Sequence, residues 1–190
     1  MIELIAMYAL PPIPSWSELH PLVIHFPIAL LLVAPLFIVA GIVMNPQKGR
    51  PFLITALCLM VLGTVGTMLA VATGEAAADV AERTTAISAV LERHQELAET
   101  TRDIFGLLNV IFATILFMPR LLKRETTTAV ARILPLAFLL FYGAATIVLV
   151  NTAHNGGRLV HELGIHAGLA QTNEPANGAQ STGTPVQEAE

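Results

Sequence analysis

The chain has 190 residues, 54% of them hydrophobic and only 13% charged, with ten Lys+Arg, fourteen Asp+Glu and a single Cys. A soluble domain carries about 25% charged residues, so this composition, with a mean hydropathy of +0.68, excludes an ordinary soluble enzyme. The net charge of -4, without a phosphate-binding glycine loop or a basic, aromatic-rich patch, excludes nucleic acid as a partner.

Residues 1–21 read as an exoplasmic or interfacial segment. Met1 to Trp16 is apolar but lacks the positively charged start and small-residue cleavage site of a signal peptide. Pro11, Pro12 and Pro14 forbid a continuous helix there. Glu3 to Leu10 is either a short amphipathic helix or loose chain, and Trp16 suits headgroup depth.

A membrane domain over residues 22–168 follows. Leu22 to Met44 and Phe52 to Thr73 contain no Asp, Glu, Lys or Arg, and about 20 such residues span the hydrocarbon as a helix. The block at 104–119 is shorter and holds Asn109, so its helix is expected to begin well before the membrane, with Arg120 and Lys123 snorkelling at its end. The fourth block, 133–150, holds Tyr142. The fold class is an all-α integral membrane protein, a four-transmembrane-helix bundle with an exoplasmic helical connection. A soluble four-helix bundle would carry a polar stripe on each helix.

Ala76 to Arg102 reads as one or two helices outside the membrane, running directly into the third span. Residues 169–190, poor in large apolar groups, read as a flexible tail. Within the spans, Gly63, Gly66 and Ala70 form a narrow face for close helix contact, with Gly41 in a similar part on the first span. Pro27 and Pro35 bend that first span, and Cys58 is expected to be an inert packing residue.

The links alternate in charge. Asn45 to Pro51 carries Lys48 and Arg50 without an acid, and Arg120 to Arg132 carries four bases against Glu125. Both read as cytoplasmic. Gly74 to Asp103 has seven acids against three arginines and reads as exoplasmic. Both termini then lie outside a bacterial cytoplasmic (inner) membrane.

Under this topology all six histidines, His20, His25, His94, His154, His161 and His166, fall at or beyond the exoplasmic ends of the helices. Imidazoles from different segments meeting at one rim hold haem iron, copper or zinc. His25 leads because an ionisable group inside a span is costly to bury. His94 is its expected partner for a haem b. For a metal ion the set is His20, His25, His94 and His161, and zinc would recruit Glu75, Glu96, Glu99 or Glu162 as well. Glu75 is also placed to orient a histidine ligand. Against this stands a plain structural or exposed role for each histidine. The spacing in HELGIH, interrupted by a glycine, is not the H-E-x-x-H of a metalloprotease. Gly156 and Gly157 make helix continuity between His154 and His161 doubtful.

The run HPLVIHFPIALLL resembles the opening of a bacterial family of four-span membrane proteins of unknown function, domain family 2231. TGEAA at Thr73 to Ala77, His94, and GGRLVHELGIH after the fourth span extend the resemblance over Leu19 to about Gly168. It puts His20, His25 and His94 on recurrent histidine positions and Gly156 and Gly157 on a terminal glycine pair. His161 and His166 depart from the family pattern. The resemblance implies a companion of respiratory or cytochrome-containing systems. The expected partners are the bilayer, other membrane or respiratory subunits and, for a centre confined to one side, a quinone.

The expected function is therefore a small integral component of a redox or respiratory assembly, without independent catalytic activity. The alternatives are a cofactor-free scaffold or assembly subunit, and an exoplasmic copper- or zinc-binding protein.

Overall fold

The architecture comes from a computed structural model that describes residues 13–81, 83–123 and 127–165. The segment Glu3 to Leu10, the C-terminal tail and His166 lie outside the described residues. The four apolar blocks form helices α1 (His20–Val43), α2 (Pro46–Val80), α3 (Thr85–Leu121) and α4 (Thr128–His161), each long and apolar enough to cross a membrane. Among the described residues there is no strand.

Local sequence sets the ends. Asn45, Thr84 and Thr127 each accept the backbone N–H three residues on, capping α2, α3 and α4. A 3-10 turn at Trp16–Glu18 leads into α1, and Glu18 Oε2 accepts the Ser15 N–H at 2.8 Å. α1 is interrupted at Ile24, between His20–Val23 and His25–Val43. Pro27 explains the interruption, because it has no N–H for the carbonyl four residues before it.

Three of the helices outrun the membrane. α2, α3 and α4 have 35, 37 and 34 residues, which at 1.5 Å per residue exceeds about 50 Å against a hydrocarbon thickness of about 30 Å. α1, with 24 residues, does not. The excess lies mostly at the end where α1 begins, and there the longer helices build a second core from Ala78, Leu91 and Leu159. The connection expected after Thr73 is thus the end of α2, through Val80, and the first part of α3, from Thr85, and α4 runs unbroken through Gly156 and Gly157. Packing overrides the weak helix preference of the two glycines.

The helices pack in a ring, α1 on α2, α2 on α3, α3 on α4 and α4 on α1, with α1 and α3 on a diagonal. Phe112 stacks on Phe138 at 4.6 Å between ring centres, and Phe105 meets the Tyr142 ring edge-on at 5.3 Å. Small residues set the α1–α2 approach: a Cβ on Gly63 would stand 2.7 Å from Leu31 Cγ, and one on Gly66 3.1 Å from the Pro27 ring.

Polar ties close each adjacent pair. His20 Nδ1 bonds the Ala70 carbonyl at 2.9 Å, joining α1 to α2, and Asn109 Nδ2 donates to Thr64 Oγ1 at 2.7 Å, joining α3 to α2. His94 Nδ1 bonds the Thr152 carbonyl at 3.0 Å, joining α3 to α4, and the Tyr142 hydroxyl donates to the Leu31 carbonyl at 2.6 Å, joining α4 to α1. The outer surface is apolar, with Leu140 at 76% and Phe141 at 70% exposure, as a lipid-facing surface requires. Cys58 lies on that outer surface, not in the packing where the sequence reading put it. A cysteine on a lipid-facing position has no helix to pack against.

Candidate functional site: a histidine pair at one end of the bundle

The five described histidines share one end of the bundle: His20 and His25 open α1, His94 lies in the first part of α3, and His154 and His161 close α4. Two of them meet. The rings of His20 and His94 lie 6.3 Å apart between centres, at 84° to one another. They come from diagonal helices, so the pair lies across the interior of the ring.

Each imidazole is held by the neighbouring helix. His20 Nδ1 lies 2.9 Å from the Ala70 carbonyl and 3.3 Å from Thr73 Oγ1. His94 Nδ1 lies 3.0 Å from the Thr152 carbonyl. A carbonyl only accepts, so the network assigns the proton to Nδ1 in both rings. The Thr73 hydroxyl proton goes to the Leu69 carbonyl at 2.9 Å, leaving its lone pair for His20. Each ring therefore keeps an Nε2 lone pair, and among the described residues no protein group bonds to it.

Two glycines make room for the rings. A Cβ on Gly74 would stand 2.9 Å from His20 Cε1, and one on Gly156 3.0 Å from His94 Cε1. His20 lies two residues before the apolar block that begins at Leu22, and His94 ten residues before the one that begins at Ile104. Burial pushes both below the usual histidine range, and for His20 the neighbouring His94 adds to the shift. The carbonyl bonds act in the opposite direction. Both rings are neutral at pH 7, the state in which imidazole binds metal.

The remaining candidates stand apart from the pair. His25 is exposed on α1, with Nδ1 2.8 Å from the Pro21 carbonyl. It makes no ring contact with another described imidazole. Five residues along a helix of 3.6 residues per turn rotate a side chain by roughly 140°, so His20 turns inward and His25 outward. His154 and His161 are exposed. Gly164, at a φ of 67°, turns the chain just after α4. Glu162 and Glu96 are engaged by Arg158 at 2.9 Å and Arg93 at 2.6 Å, and Glu75 is exposed without a bond to a histidine. Among the described residues, no group of three or more His, Cys, Asp or Glu is placed to hold a metal ion.

With this geometry in view, comparison with protein families gives one result: residues 17–168 match the family described as Predicted membrane protein (DUF2231). The chain belongs to this family. The family description carries membrane character and no activity. Neither the curated proteins nor the solved structures give a match.

Sequence reasoning missed the anchors. The carbonyls of Ala70 and Thr152 carry no signal in residue identity, because any residue supplies a carbonyl. Thr73 and Gly74 were visible as the start of TGEAA, and Gly156 as part of the glycine pair, but their common purpose appears only once α2 and α4 are set beside the imidazoles.

Proposed function

We propose that this family member is a small integral component of a membrane redox assembly that binds one haem b between His20 and His94. The observation that carries this reading is the pair itself: two neutral imidazoles from diagonal helices, each with Nδ1–H committed to a carbonyl and Nε2 left as a free lone pair. With metal–nitrogen bonds of about 2.0–2.1 Å, a metal held by both rings would need their centres within about 6 Å, and the separation here is 6.3 Å. Haem would bring four nitrogens of its own and need two further ligands, which His20 and His94 would supply. Structural zinc takes four protein ligands, and no described cluster offers even three.

Haem bound there supplies a one-electron redox centre. The chain's own contribution is to fix ligand geometry. The Ala70 and Thr152 carbonyls orient the rings and keep Nε2 unprotonated, Gly74 and Gly156 let the rings lie against α2 and α4, and the surrounding helices limit water. No described histidine lies at the opposite end of the bundle, so a haem held here would exchange electrons on the histidine side. By the Lys/Arg excess of residues 45–51 and 120–132, that side is exoplasmic, with both termini on it. A haem there would serve exchange with a quinone or a respiratory subunit, and the chain would need no bond-breaking activity of its own.

A copper(I) ion held between the same two imidazoles is the second reading, favoured by rings already in contact with each other. Purification in mild detergent, followed by reduced-minus-oxidised spectra and metal analysis, separates the two. Haem absorption lost in His20→Ala and His94→Ala but retained in His25→Ala, with helical circular dichroism unchanged, supports the first reading. Stoichiometric copper with the same mutational pattern supports the second. Colourless, metal-free protein from haem- and copper-replete cells overturns both and leaves a membrane scaffold.

A further inference from the structure

Among the described residues, four threonines are nearly removed from solvent: Thr64, Thr67, Thr73 and Thr101, at 4%, 7%, 1% and 2% exposure. Thr64 serves the Asn109 tie and Thr67 bonds back to its own helix at the Thr64 carbonyl. Thr101 meets Thr152 Oγ1 at 2.9 Å and touches no imidazole nitrogen. Thr73 alone among them approaches a histidine. Its hydroxyl proton is spent on the Leu69 carbonyl, so its oxygen accepts the second arm of a forked bond from His20 Nδ1.

We propose that Thr73 is a positioning residue for His20, adding a second acceptor at Nδ1 that fixes the ring and strengthens its donation beyond what the Ala70 carbonyl alone gives. His94 has one acceptor, the Thr152 carbonyl. An acceptor on the far nitrogen of a ligating imidazole fixes its orientation and raises its basicity, and losing such an outer partner typically costs about 10–100-fold in metal affinity. Added donation from His20 would favour the oxidised state of a bound metal. This inference rests on the reading that His20 and His94 are the ligands, yet part of its test needs no cofactor.

The test compares Thr73→Val, Thr73→Ser and Thr101→Val. In the cofactor-free protein labelled with 15N, Thr73→Val is expected to displace the His20 ring resonances and leave those of His94 in place. Thr73→Ser restores the wild-type positions. In the loaded protein, Thr73→Val lowers cofactor retention about 10–100-fold and moves the midpoint potential to more positive values. Thr101→Val removes an equally buried hydroxyl and leaves the potential unchanged. Unmoved His20 resonances in Thr73→Val, or equal displacement by Thr101→Val, overturns the proposal. Wild-type protein that binds no metal or haem overturns the proposed function, while the ring resonances still decide the role of Thr73.

Discussion

Adjacent glycines on α4 give opposite predictions. A Cβ at Gly156 would lie 3.0 Å from His94 Cε1 and 3.5 Å from its Nδ1, whereas one at Gly157 meets nothing within 4 Å. Both residues lie inside α4, where alanine is favoured over glycine by about 1 kcal/mol. Gly157→Ala should therefore stabilise by up to that amount. At Gly156 the same gain is opposed by overpacking, about 1–3 kcal/mol, since carbon contacts settle near 3.5–4.0 Å. Displacing the ring also lengthens the 3.0 Å bond to Thr152, a loss of about 1 kcal/mol. Gly156→Ala should be destabilising by about 1–3 kcal/mol. For a chain of this size the two variants should separate by roughly 5–15 °C in melting temperature. Thermal unfolding in detergent, followed by circular dichroism, reads the difference. Two alanine variants that melt together, or a Gly156→Ala protein more stable than the parent, would refute the packing of His94 against α4.

Two further outcomes follow from the same coordinates. Asn109 Oδ1 is buried without a partner. Asn109→Leu therefore removes a burial cost of about 1–3 kcal/mol along with the bond to Thr64, worth about 1 kcal/mol. The variant should melt at or above the wild-type temperature, and a drop of several degrees would show that the carbonyl is satisfied in the membrane. His20 and His94 are held neutral below their ordinary value of 6.5, so below that pH the unfolded chain takes up protons that the folded protein refuses. Stability of the cofactor-free protein is full above about pH 6.5 and falls as the pH drops below it. The fall should disappear in the double variant His20→Gln/His94→Gln, and a profile equally steep in that variant would assign it to other groups.

The membrane fold was legible because it is written in composition. Four uncharged or nearly uncharged blocks have no other stable arrangement than spanning helices, and Gly63 and Gly66 announced the side of α2 that meets α1. Helix length was less legible. Gly74, Gly156 and Gly157 carry the signal of a helix end, yet α2 and α4 continue through them because the second core around Leu91 and Leu159 rewards the extension. The histidine end was legible and the pairing was not. His25, inside the apolar block, looks costly to bury and so looks functional, but the cost applies only to a side chain facing inward or into lipid far from the surface. His20, just outside the block, faces inward. The sequence orders residues along the axis of α1, whereas the site depends on rotation about it, and the break at Ile24 makes that rotation harder to read.

The bonds that orient the imidazoles also join helices. In a bilayer the tails outside are as apolar as the core inside, so helix association depends on close packing and on interhelical hydrogen bonds worth about 0.6 to 2 kcal/mol each. His20 to Ala70 and His94 to Thr152 supply ties for α1–α2 and α3–α4, the second beside the Thr101–Thr152 hydroxyl bond. Tyr142 to Leu31 and Asn109 to Thr64 supply the other two. Because the histidine ties use Nδ1 alone, they fix the rings without consuming Nε2. A ligand-binding edge is thus held by the same contacts that close the ring of helices, and loss of either imidazole should loosen one end of the bundle as well as remove a ligand. Measured stability and cofactor retention in the His20 and His94 variants should accordingly fall together, whereas in Thr73→Val retention should fall with little change in stability, because the Ala70 carbonyl still ties α1 to α2.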